Sequence, residues 1–384
     1  MNRNPGGESM KRRAILVTLV LVLFSFPAFS AAPASIVRVK ANGSNSAAVT
    51  AAGELWVWGY NYTGQVGDGT KENNRAKPIR IQGMGKVADV AVGYNHTLAL
   101  AQDGSVYAWG SNDHGQLGVD GAKCSTVPVK VPGLENVVSI AAGQGFNIAL
   151  KSDGTVWCWG DGNFGQLGNG VKGESSTPVK AEGLDNVVCV EAAWYMSYAI
   201  KADGTLWVWG HNASGQLGGG LPSFIFKPVK NPDIEGVLRV AGGTGHSIAL
   251  KSDGSVWIWG KNDKGQLGTG KPDACAMPVM VPLGSKAIDI DAGNEFNIVL
   301  TEDKNVWTWG DNSLGQLGTG GTANLAKPAK VSALKNITAV SCGTHHAAAL
   351  AENGDLWTWG WNIMGQLGDG SFTERARPGK ASIR

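Results

Sequence analysis

The sequence predicts an all-β protein, a seven-bladed β-propeller of four-stranded antiparallel blades. Three observations carry this prediction: a repeat of about 50 residues, seven copies of it, and four short extended runs in each copy. A four-stranded unit of that length cannot bury both of its faces alone, so the copies must stack. Closing the stack into a ring covers the faces of the first and last copies as well.

A Trp-Gly pair marks the period of the repeat. The motif W-x-W-G recurs after a step of 51 residues and then after steps of 50. Thirteen of the 15 tryptophans occupy its two columns, and their size predicts that both columns pack between blades. We expect residues 31–384 to form one domain. Its copies span residues 36–86, 87–136, 137–186, 187–236, 237–286, 287–336 and 337–384.

The third copy shows the four strands most clearly. VVSIAAG (137–143), FNIALK (146–151) and TVWCWG (155–160) are rich in β-branched and apolar residues, and STPVKAEG (176–183) supplies the fourth strand. Asp153-Gly154 predicts a two-residue type I′ hairpin between the second and third strands. Pro178 is expected at the start of the fourth strand, where a missing N–H is tolerated.

The first 30 residues have the layout of a secretory signal peptide. A basic segment (11–13) precedes an apolar run (14–26), and small residues lead to a cleavage site between Ser30 and Ala31. The run is shorter than the ~20 apolar residues of a membrane span, so we expect a secreted or periplasmic protein with no stable span. Cleavage would remove four basic residues and one acidic residue and change the formal charge from +2 to −1. Without a basic excess, nucleic-acid binding is not predicted.

Connections alternate between the two faces of a propeller. The loops after the first and third strands must emerge on one face, and the Asp-Gly hairpins on the other. Trp361 follows a third strand and is expected on the first of these faces. The triplets after the first strands vary and lean aromatic: Gly43-Ser44-Asn45, Tyr94-Asn95-His96, Gln144-Gly145-Phe146, Trp194-Tyr195-Met196, Thr244-Gly245-His246, Asn294-Glu295-Phe296 and Thr344-His345-His346.

These variable triplets, together with Trp361, are the predicted binding site for a protein partner. Variable loops on a rigid scaffold carry recognition, and aromatic residues are enriched in protein-binding hot spots. An alternative is that the third residue of each triplet tucks inward and fills the gap between blades. The residues predicted to contact the partner are Tyr94, His96, Phe146, Trp194, Tyr195, Met196, Glu295, Phe296, His345, His346 and Trp361.

No set of residues predicts catalysis, a metal site or a cofactor. His96, His246 and His346 share one column but belong to copies spread around the ring. Since a metal needs converging ligands, this spread favours structural bonds to a neighbouring blade's backbone. A propeller enzyme, such as a lyase or a glycan hydrolase, would need carboxylates that meet at the central pore. The candidates for such a cluster are Glu191, Asp291 and Glu295.

The repeated motif W-x-W-G-x-N-x-x-G-Q-L-G-x-G, with A-A-G-x-x-H-S, resembles the regulator of chromosome condensation repeat over residues 36–384. The resemblance implies a seven-bladed propeller, and the family's best-known activity is nucleotide exchange on a small nuclear GTPase. In the family that activity depends on a wedge-like insertion in one blade and on attachment to chromatin. These copies keep their step without an insertion, so regulation of a GTPase is the alternative function.

The chain also resembles, in secretion, blade number and aromatic loops, the secreted bacterial propellers that inhibit β-lactamases. Its repeats are longer and carry the fuller G-Q-L-G-x-G motif. The resemblance implies the same mode of action, in which a rigid disc binds a protein through one loop face. The sequence thus favours an exported, non-catalytic, monomeric scaffold for a protein partner of unknown identity.

Overall fold

The structure, a computed structural model, describes residues 35–383 of the 384-residue chain. The predicted signal peptide, with its cleavage site at Ser30 and Ala31, lies outside the described residues. The described residues form 28 strands in seven four-stranded antiparallel sheets. They contain no helix long and apolar enough to cross a membrane. The predicted all-β, seven-bladed propeller is confirmed.

The strands are numbered in chain order, four to a blade. Blades 1 to 3 contain β1 Ile36–Asn42, β2 Asn45–Thr50, β3 Leu55–Gly59, β4 Arg75–Ile81, β5 Val87–Val92, β6 His96–Ala101, β7 Val106–Ser111, β8 Cys124–Lys130, β9 Val137–Ala142, β10 Phe146–Lys151, β11 Val156–Gly160 and β12 Ser175–Lys180. Blades 4 and 5 contain β13 Val187–Ala193, β14 Met196–Lys201, β15 Leu206–His211, β16 Phe224–Lys230, β17 Val237–Gly242, β18 His246–Lys251, β19 Val256–Gly260 and β20 Cys275–Val281. Blades 6 and 7 contain β21 Ala287–Ala292, β22 Phe296–Thr301, β23 Val306–Gly310, β24 Leu325–Lys330, β25 Ile337–Cys342, β26 His346–Ala351, β27 Leu356–Gly360 and β28 Arg375–Lys380.

Each blade is one continuous stretch of the chain, and its strands lie side by side in chain order. The first strands of neighbouring blades contact one another all round the ring, so they line a central channel and the fourth strands form the outer edges. Blade 7 closes on blade 1 through hydrogen bonds of both side chains and loop backbone. Ser341 Oγ accepts the Ala41 N–H at 3.0 Å, and Trp58 Nε1 donates to the Gln366 carbonyl at 2.9 Å. Within residues 35–383 no strand is exchanged across this seam.

A hydrogen bond from tryptophan to a backbone carbonyl joins most neighbouring blades. The second tryptophan of the W-x-W-G motif is fully buried in every blade. In six blades its Nε1 donates to the glutamine carbonyl of the preceding G-Q-L-G loop at 2.8–3.0 Å. The glycine that ends this loop permits the approach, since a Cβ on Gly168 would lie 2.9 Å from Trp209 Nε1. The two repeated motifs therefore form one interlocking contact between blades.

The first tryptophan of the motif lies at a different depth. It is half-buried, and in four blades a lysine ammonium packs over the ring, as Lys201 Nζ does at 4.1 Å from the Trp207 centroid. This column also packs against the apolar clusters between blades, as expected, but it is only partly buried. Trp207 is the second residue of β15, next to the hairpin, where lysines and solvent reach the ring.

The Asp-Gly hairpins differ from the predicted two-residue type I′ turn. Gly154 N–H donates to the Lys151 carbonyl at 2.9 Å, and only Gly154 has a positive φ, of 79°. This is a type I turn followed by a left-handed glycine. Asp153 stays at negative φ, where its Oδ1 accepts the Thr155 N–H at 3.0 Å. Pro178 is the fourth residue of β12 rather than its first. It is tolerated because β12 is an outer edge with an irregular register.

Candidate protein-binding face

The loop face is built the same way in all seven blades. We call the variable triplet after each first strand loop 1, and the segment between each Trp-Gly pair and the fourth strand loop 3. The residue after each Trp-Gly pair donates its N–H to the carbonyl of the middle loop 1 residue at 2.7–3.0 Å. Loops 1 and 3 therefore lie together on one face, and this face carries both Trp194 and Trp361.

Backbone hydrogen bonds also tie the loop 1 segments of neighbouring blades together. Gln144 N–H donates to the Trp194 carbonyl at 2.8 Å, and Thr344 N–H donates to the Gly43 carbonyl at 3.0 Å. Equivalent bonds join blades 2 and 3, 5 and 6, and 6 and 7. The mouth of the channel is thus framed by linked backbone. A loop backbone held in this way loses little further freedom when its side chains bind a partner.

Six rings of blades 2 to 4 form one continuous cluster on this face, which we call the aromatic surface. The ring centroids of Tyr94 and Trp194 lie 5.6 Å apart, and those of Trp194 and Tyr195 lie 6.4 Å apart. Phe164 lies 4.6 Å from Tyr195 and links it to two further rings at 5.5 and 5.8 Å. The members of the aromatic surface are Tyr94, Phe164, Trp194, Tyr195, His211 and Phe224.

Half of the aromatic surface was missed by sequence reasoning. Phe164, His211 and Phe224 belong to blades 3 and 4 but lie on the loop 3 side, where only Trp361 was considered. The signal was present in the sequence. Phe164 is the one phenyl ring in a variable column, in which the other copies carry Thr63, His114, Ser214, Lys264, Leu314 and Met364, so its signal was weaker than the one that singled out Trp194.

The other predicted contact residues lie elsewhere on the loop face. His345 and Trp361 of blade 7 form an edge-to-face pair with centroids 5.9 Å apart. Within the described residues no ring contact joins this pair to the aromatic surface. Glu295 is held by Lys261, with 2.9 Å between Oε1 and Nζ. The predicted site therefore divides into an aromatic surface on blades 2 to 4 and a smaller pair on blade 7.

The third residue of each loop 1 triplet is buried, as the inward alternative states. Each begins a second strand, and its side chain lies over the end of the first strand. A Cβ on Gly143, for instance, would lie 2.1 Å from Phe146 Cε1. These side chains support the loops from below and cannot form the contact surface. The prediction of direct partner contact is corrected for His96, Phe146, Met196, Phe296 and His346.

Blade 4 packs this position differently from its neighbours. Ala193 stands in a column where five blades carry glycine, and its methyl group occupies space that a ring would need. Met196 replaces the ring, and its unbranched side chain fits beside the methyl group. Met196 is fully buried, with its Sδ 3.4 Å from Tyr198 Oη. In the bulky triplet 194–196, Met196 is therefore buried and supports the loop, whereas the rings of Trp194 and Tyr195 lie on the loop face.

The three aligned histidines are structural. Their Nε2 atoms bond side chains of the next blade: Asn147 Oδ1 for His96 at 2.6 Å, Asn297 Oδ1 for His246 at 2.9 Å, and Ser46 Oγ for His346 at 2.8 Å. The partner is a side chain rather than the expected backbone. Burial lowers the pKa of the first two to about 4 and that of His346 to about 3. All three are neutral at neutral pH.

Charged side chains of the first strands meet in the central channel. Burial lowers the pKa of Lys40, but the attraction of surrounding carboxylates outweighs it and raises that pKa. Burial also raises the pKa of Glu191 to about 7, against the pull of Lys40. Asp291 accepts the Cys342 N–H at 2.8 Å. Two of the three carboxylates considered for catalysis thus lie near Lys40, whereas Glu295 is paired on the loop face. Lys40 and these carboxylates thus form a charge cluster in the channel.

Comparison with protein families assigns the chain. Residues 22–237 match the RCC1-like domain, and residues 253–300, 303–350 and 353–383 match the regulator of chromosome condensation (RCC1) repeat. The chain belongs to the RCC1-repeat family. Segments of it match three curated relatives. The X-linked retinitis pigmentosa GTPase regulator homolog of Caenorhabditis elegans is 44% identical over 87 residues, and the human E3 ubiquitin-protein ligase HERC2 is 40% identical over 96. Human protein RCC2 is 43% identical over 88 residues.

The matched segments are partial on both sides. They cover 22–24% of this chain but only 6%, 2% and 17% of the three relatives. Two solved structures share the fold over most of both chains. Human WBSCR16 has a TM-score of 0.79 at 24% identity, covering 86% of this chain and 94% of that one. Prp20p of Saccharomyces cerevisiae has a TM-score of 0.78 at 24% identity, covering 86% of each.

Proposed function

We propose that this RCC1-repeat propeller is an exported, non-catalytic scaffold that binds a protein partner through the aromatic surface. The observation that carries the proposal is the unbroken chain of ring contacts from Tyr94 to Phe224 across three blades. Both ends of that chain are exposed. Clustered aromatic side chains of this kind supply most of the binding energy at protein interfaces.

The chemistry of the surface favours a protein over other ligands. Tyr94, Trp194, Tyr195 and His211 add polar atoms to the apolar rings of the cluster, a mixture that suits protein hot spots. Burial raises the pKa of Tyr195 and lowers that of His211. Both groups are therefore neutral at neutral pH and present hydrogen-bonding groups without charge. The linked backbone beneath them keeps the ordering cost of binding small.

The test begins with a photo-reactive amino acid at Tyr94 in cells of the source organism. A second chain carries the same group at Ser152, in a hairpin on the opposite face. A partner must be captured from the first position and not from the second. The affinity of the purified partner is then measured for wild type and for Trp194→Ala, Phe164→Ala and Trp361→Ala variants. Size-exclusion chromatography of the free chain tests the monomeric state.

Trp194→Ala and Phe164→Ala should each weaken binding by at least about 2 kcal/mol, roughly 30-fold. Trp361→Ala removes the same kind of side chain from the same face but from blade 7, and it should leave the affinity within a few-fold of wild type. Equal effects of Trp194→Ala and Trp361→Ala would contradict the assignment to blades 2 to 4. Export is tested separately: the mature chain should begin at Ala31.

Regulation of a small GTPase is the second candidate. One relative is named a GTPase regulator homolog, and yeast Prp20p is described by its binding to Gsp1p and histones. Release of fluorescent GDP from a panel of purified small GTPases, with and without the chain, separates the two candidates. Accelerated release that is abolished by a loop-face variant would favour the regulator. An export assay that leaves the chain in the cytoplasm would favour it as well.

A further inference from the structure

Three potential metal ligands meet on the loop face between blades 2 and 3. They are His114 in loop 3 of blade 2 and Asp161 and Glu174 in loop 3 of blade 3. One nitrogen of the histidine and one oxygen of each carboxylate all lie within 4.8 Å of one another. His114 Nδ1 is 2.7 Å from Glu174 Oε1. We propose that these three side chains form a binding site for a divalent transition metal, with Zn²⁺ as the best fit.

The donor set matches the chemistry of zinc. One imidazole nitrogen and two carboxylate oxygens are ordinary zinc ligands, with metal–ligand distances of about 2.0–2.2 Å. Three protein ligands leave a fourth tetrahedral position for water or a partner side chain. His114 and Glu174 are exposed enough, at 45% and 44% of their side chains, to close around an ion by small rotations.

Asp161 is the anchor of the cluster and the least expected member. It is only 5% exposed, and its Oδ1 accepts the N–H of Asn163 at 2.9 Å and Asn163 Nδ2 at 2.8 Å. Among the described contacts its Oδ2 accepts no hydrogen bond and no cationic side chain is paired with it. Oδ2 is therefore an oxygen of a mostly buried carboxylate that is left free to bind a cation. A metal ion would satisfy it, while Asn163 fixes its orientation from behind.

Blade 6 offers an internal comparison. Asp311 occupies the same column as Asp161 and is equally buried. Its Oδ2 accepts Gln316 Nε2 at 2.5 Å and Ser313 Oγ at 2.9 Å. In blade 3 the corresponding amide, Gln166 Nε2, is buried and has no partner in the described structure. The Asp161 carboxylate therefore makes no hydrogen bond to the glutamine of its own blade, and it lies beside His114 of blade 2.

The backbone leaves room for the histidine. Gly145, in the middle of loop 1 of blade 3, lies beneath the cluster. A Cβ there would be 3.1 Å from His114 Cδ2 and 3.7 Å from Asp161 Cβ. A side chain at this position would crowd the imidazole of His114. Glycine thus allows the imidazole to reach across the seam between the two blades.

The site is distinct from the proposed protein contact, although Asp161 acts electrostatically on Tyr195 of the aromatic surface. A bound ion would cross-link loop 3 of blade 2 to loop 3 of blade 3. Metal binding requires only this chain, so its test is independent of any partner. A negative result in the partner assay would not contradict the metal site, and a negative result in the metal titration would not contradict the protein-binding proposal.

The test is titration of the purified full chain with Zn²⁺ by calorimetry, with bound metal counted by elemental analysis. We expect one ion per chain, and we expect Asp161→Asn and Glu174→Gln each to weaken binding at least tenfold. Asp311→Asn, which changes the matched carboxylate in blade 6, should bind as wild type does. Near-ultraviolet circular dichroism verifies that each variant folds.

Five free cysteines could also hold zinc, so Co²⁺ is used as a second probe. Ligation by nitrogen and oxygen gives visible d–d bands without the near-ultraviolet charge-transfer band of cobalt thiolate. The expected spectrum lacks that band and disappears in Asp161→Asn. The proposal is overturned if no ion binds, if Asp161→Asn leaves the affinity unchanged, or if the thiolate band dominates. The cluster would then be a surface ion pair between His114 and Glu174.

Discussion

Tyr94 of blade 2 and Trp194 of blade 4 pack together, with ring centroids 5.6 Å apart, although a whole blade separates them in the ring. Loop 1 of blade 3 lies between them in the ring, and its middle residue, Gly145, carries no side chain. Gln144 donates its N–H to the Trp194 carbonyl, which ties the backbone of Trp194 to this loop. The small loop of blade 3 thus lets the aromatic surface span three blades.

This contact predicts energetic coupling in partner binding. The double variant Tyr94→Ala/Trp194→Ala should lose less affinity than the two single variants together, by about 0.5–1.5 kcal/mol. A cycle of Tyr94→Ala with Trp361→Ala serves as the control and should be additive, because those rings do not touch. Additivity in both cycles, measured by calorimetry with the captured partner, would mean that the two rings act separately.

One buried tryptophan lacks the interblade hydrogen bond and can serve as the control for a tryptophan that makes it. Trp209 Nε1 donates to the Gln166 carbonyl at 2.8 Å, whereas Trp259 Nε1 has no partner within the described residues. Both side chains are fully buried, so Trp→Phe removes a similar volume at each. We expect Trp209→Phe to cost about 1 kcal/mol more in free energy of unfolding than Trp259→Phe. Urea denaturation measures both, and equal losses would show that the bond contributes nothing net.

The packing of blade 4 can be transplanted into blade 3. Gly143→Ala should destabilise the protein by about 1–3 kcal/mol, since the new methyl group would overlap the Phe146 ring. The double variant Gly143→Ala/Phe146→Met copies the Ala193/Met196 pair and should recover part of that loss. Thermal unfolding of the three variants tests this. A double variant less stable than the sum of the single changes would contradict the size-exchange explanation.

Acid should destabilise the propeller through its buried histidines. Burial holds the pKa of His346 at about 3, below its ordinary value of 6.5. Between these two values the histidine is protonated in the unfolded chain but neutral in the folded one. The free energy of unfolding therefore falls as pH drops from about 6.5 toward 3. His346→Phe removes this dependence and reproduces the Phe146–Ser197 arrangement, since Ser46 still donates to the Gln366 carbonyl. Relative to wild type, the variant should gain stability at pH 4.5 compared with pH 7.5. An identical pH profile would refute this role.

Lys40 should be needed most at high pH. Without it, the channel carboxylates lose their nearest compensating cation, and the already raised pKa of Glu191 and of Asp291 would rise further. A carboxyl group whose pKa is raised by folding makes the protein less stable as pH rises, because the group loses its proton at a lower pH in the unfolded chain than in the folded one. Lys40→Met should cost on the order of 1–3 kcal/mol at pH 8 and less at pH 5. Chemical denaturation at the two pH values provides the measurement.

The architecture could be predicted from the sequence because the motif that specifies a blade is repeated seven times. Each copy carries Trp and Gly where two blades interlock, so the blade number and the face that bears Trp194 and Trp361 follow from counting. Trp209 and its glycine partner Gly168 show why the motif is so regular: both sides of one contact must be present in every copy.

What the sequence did not reveal depends on distances between copies. Whether Phe146 points outward or inward depends on the space over Gly143, which a one-dimensional pattern does not contain. The contact between Phe164 and Tyr195 joins side chains of blades 3 and 4, and the repeat pattern gives no distance between side chains of different blades. The charge cluster around Lys40 joins residues from distant blades for the same reason.

The closure between blades 7 and 1 has a consequence for the topology of the chain. Six seams are also bridged by the polypeptide, whereas this one is held by side-chain and loop contacts alone. Ile383 packs against the same apolar cluster as Ile36, so the two ends of the described propeller lie near each other. A circular permutant that joins these ends and opens any linker on the hairpin face should rebuild the disc, because the break would only move to an equivalent seam.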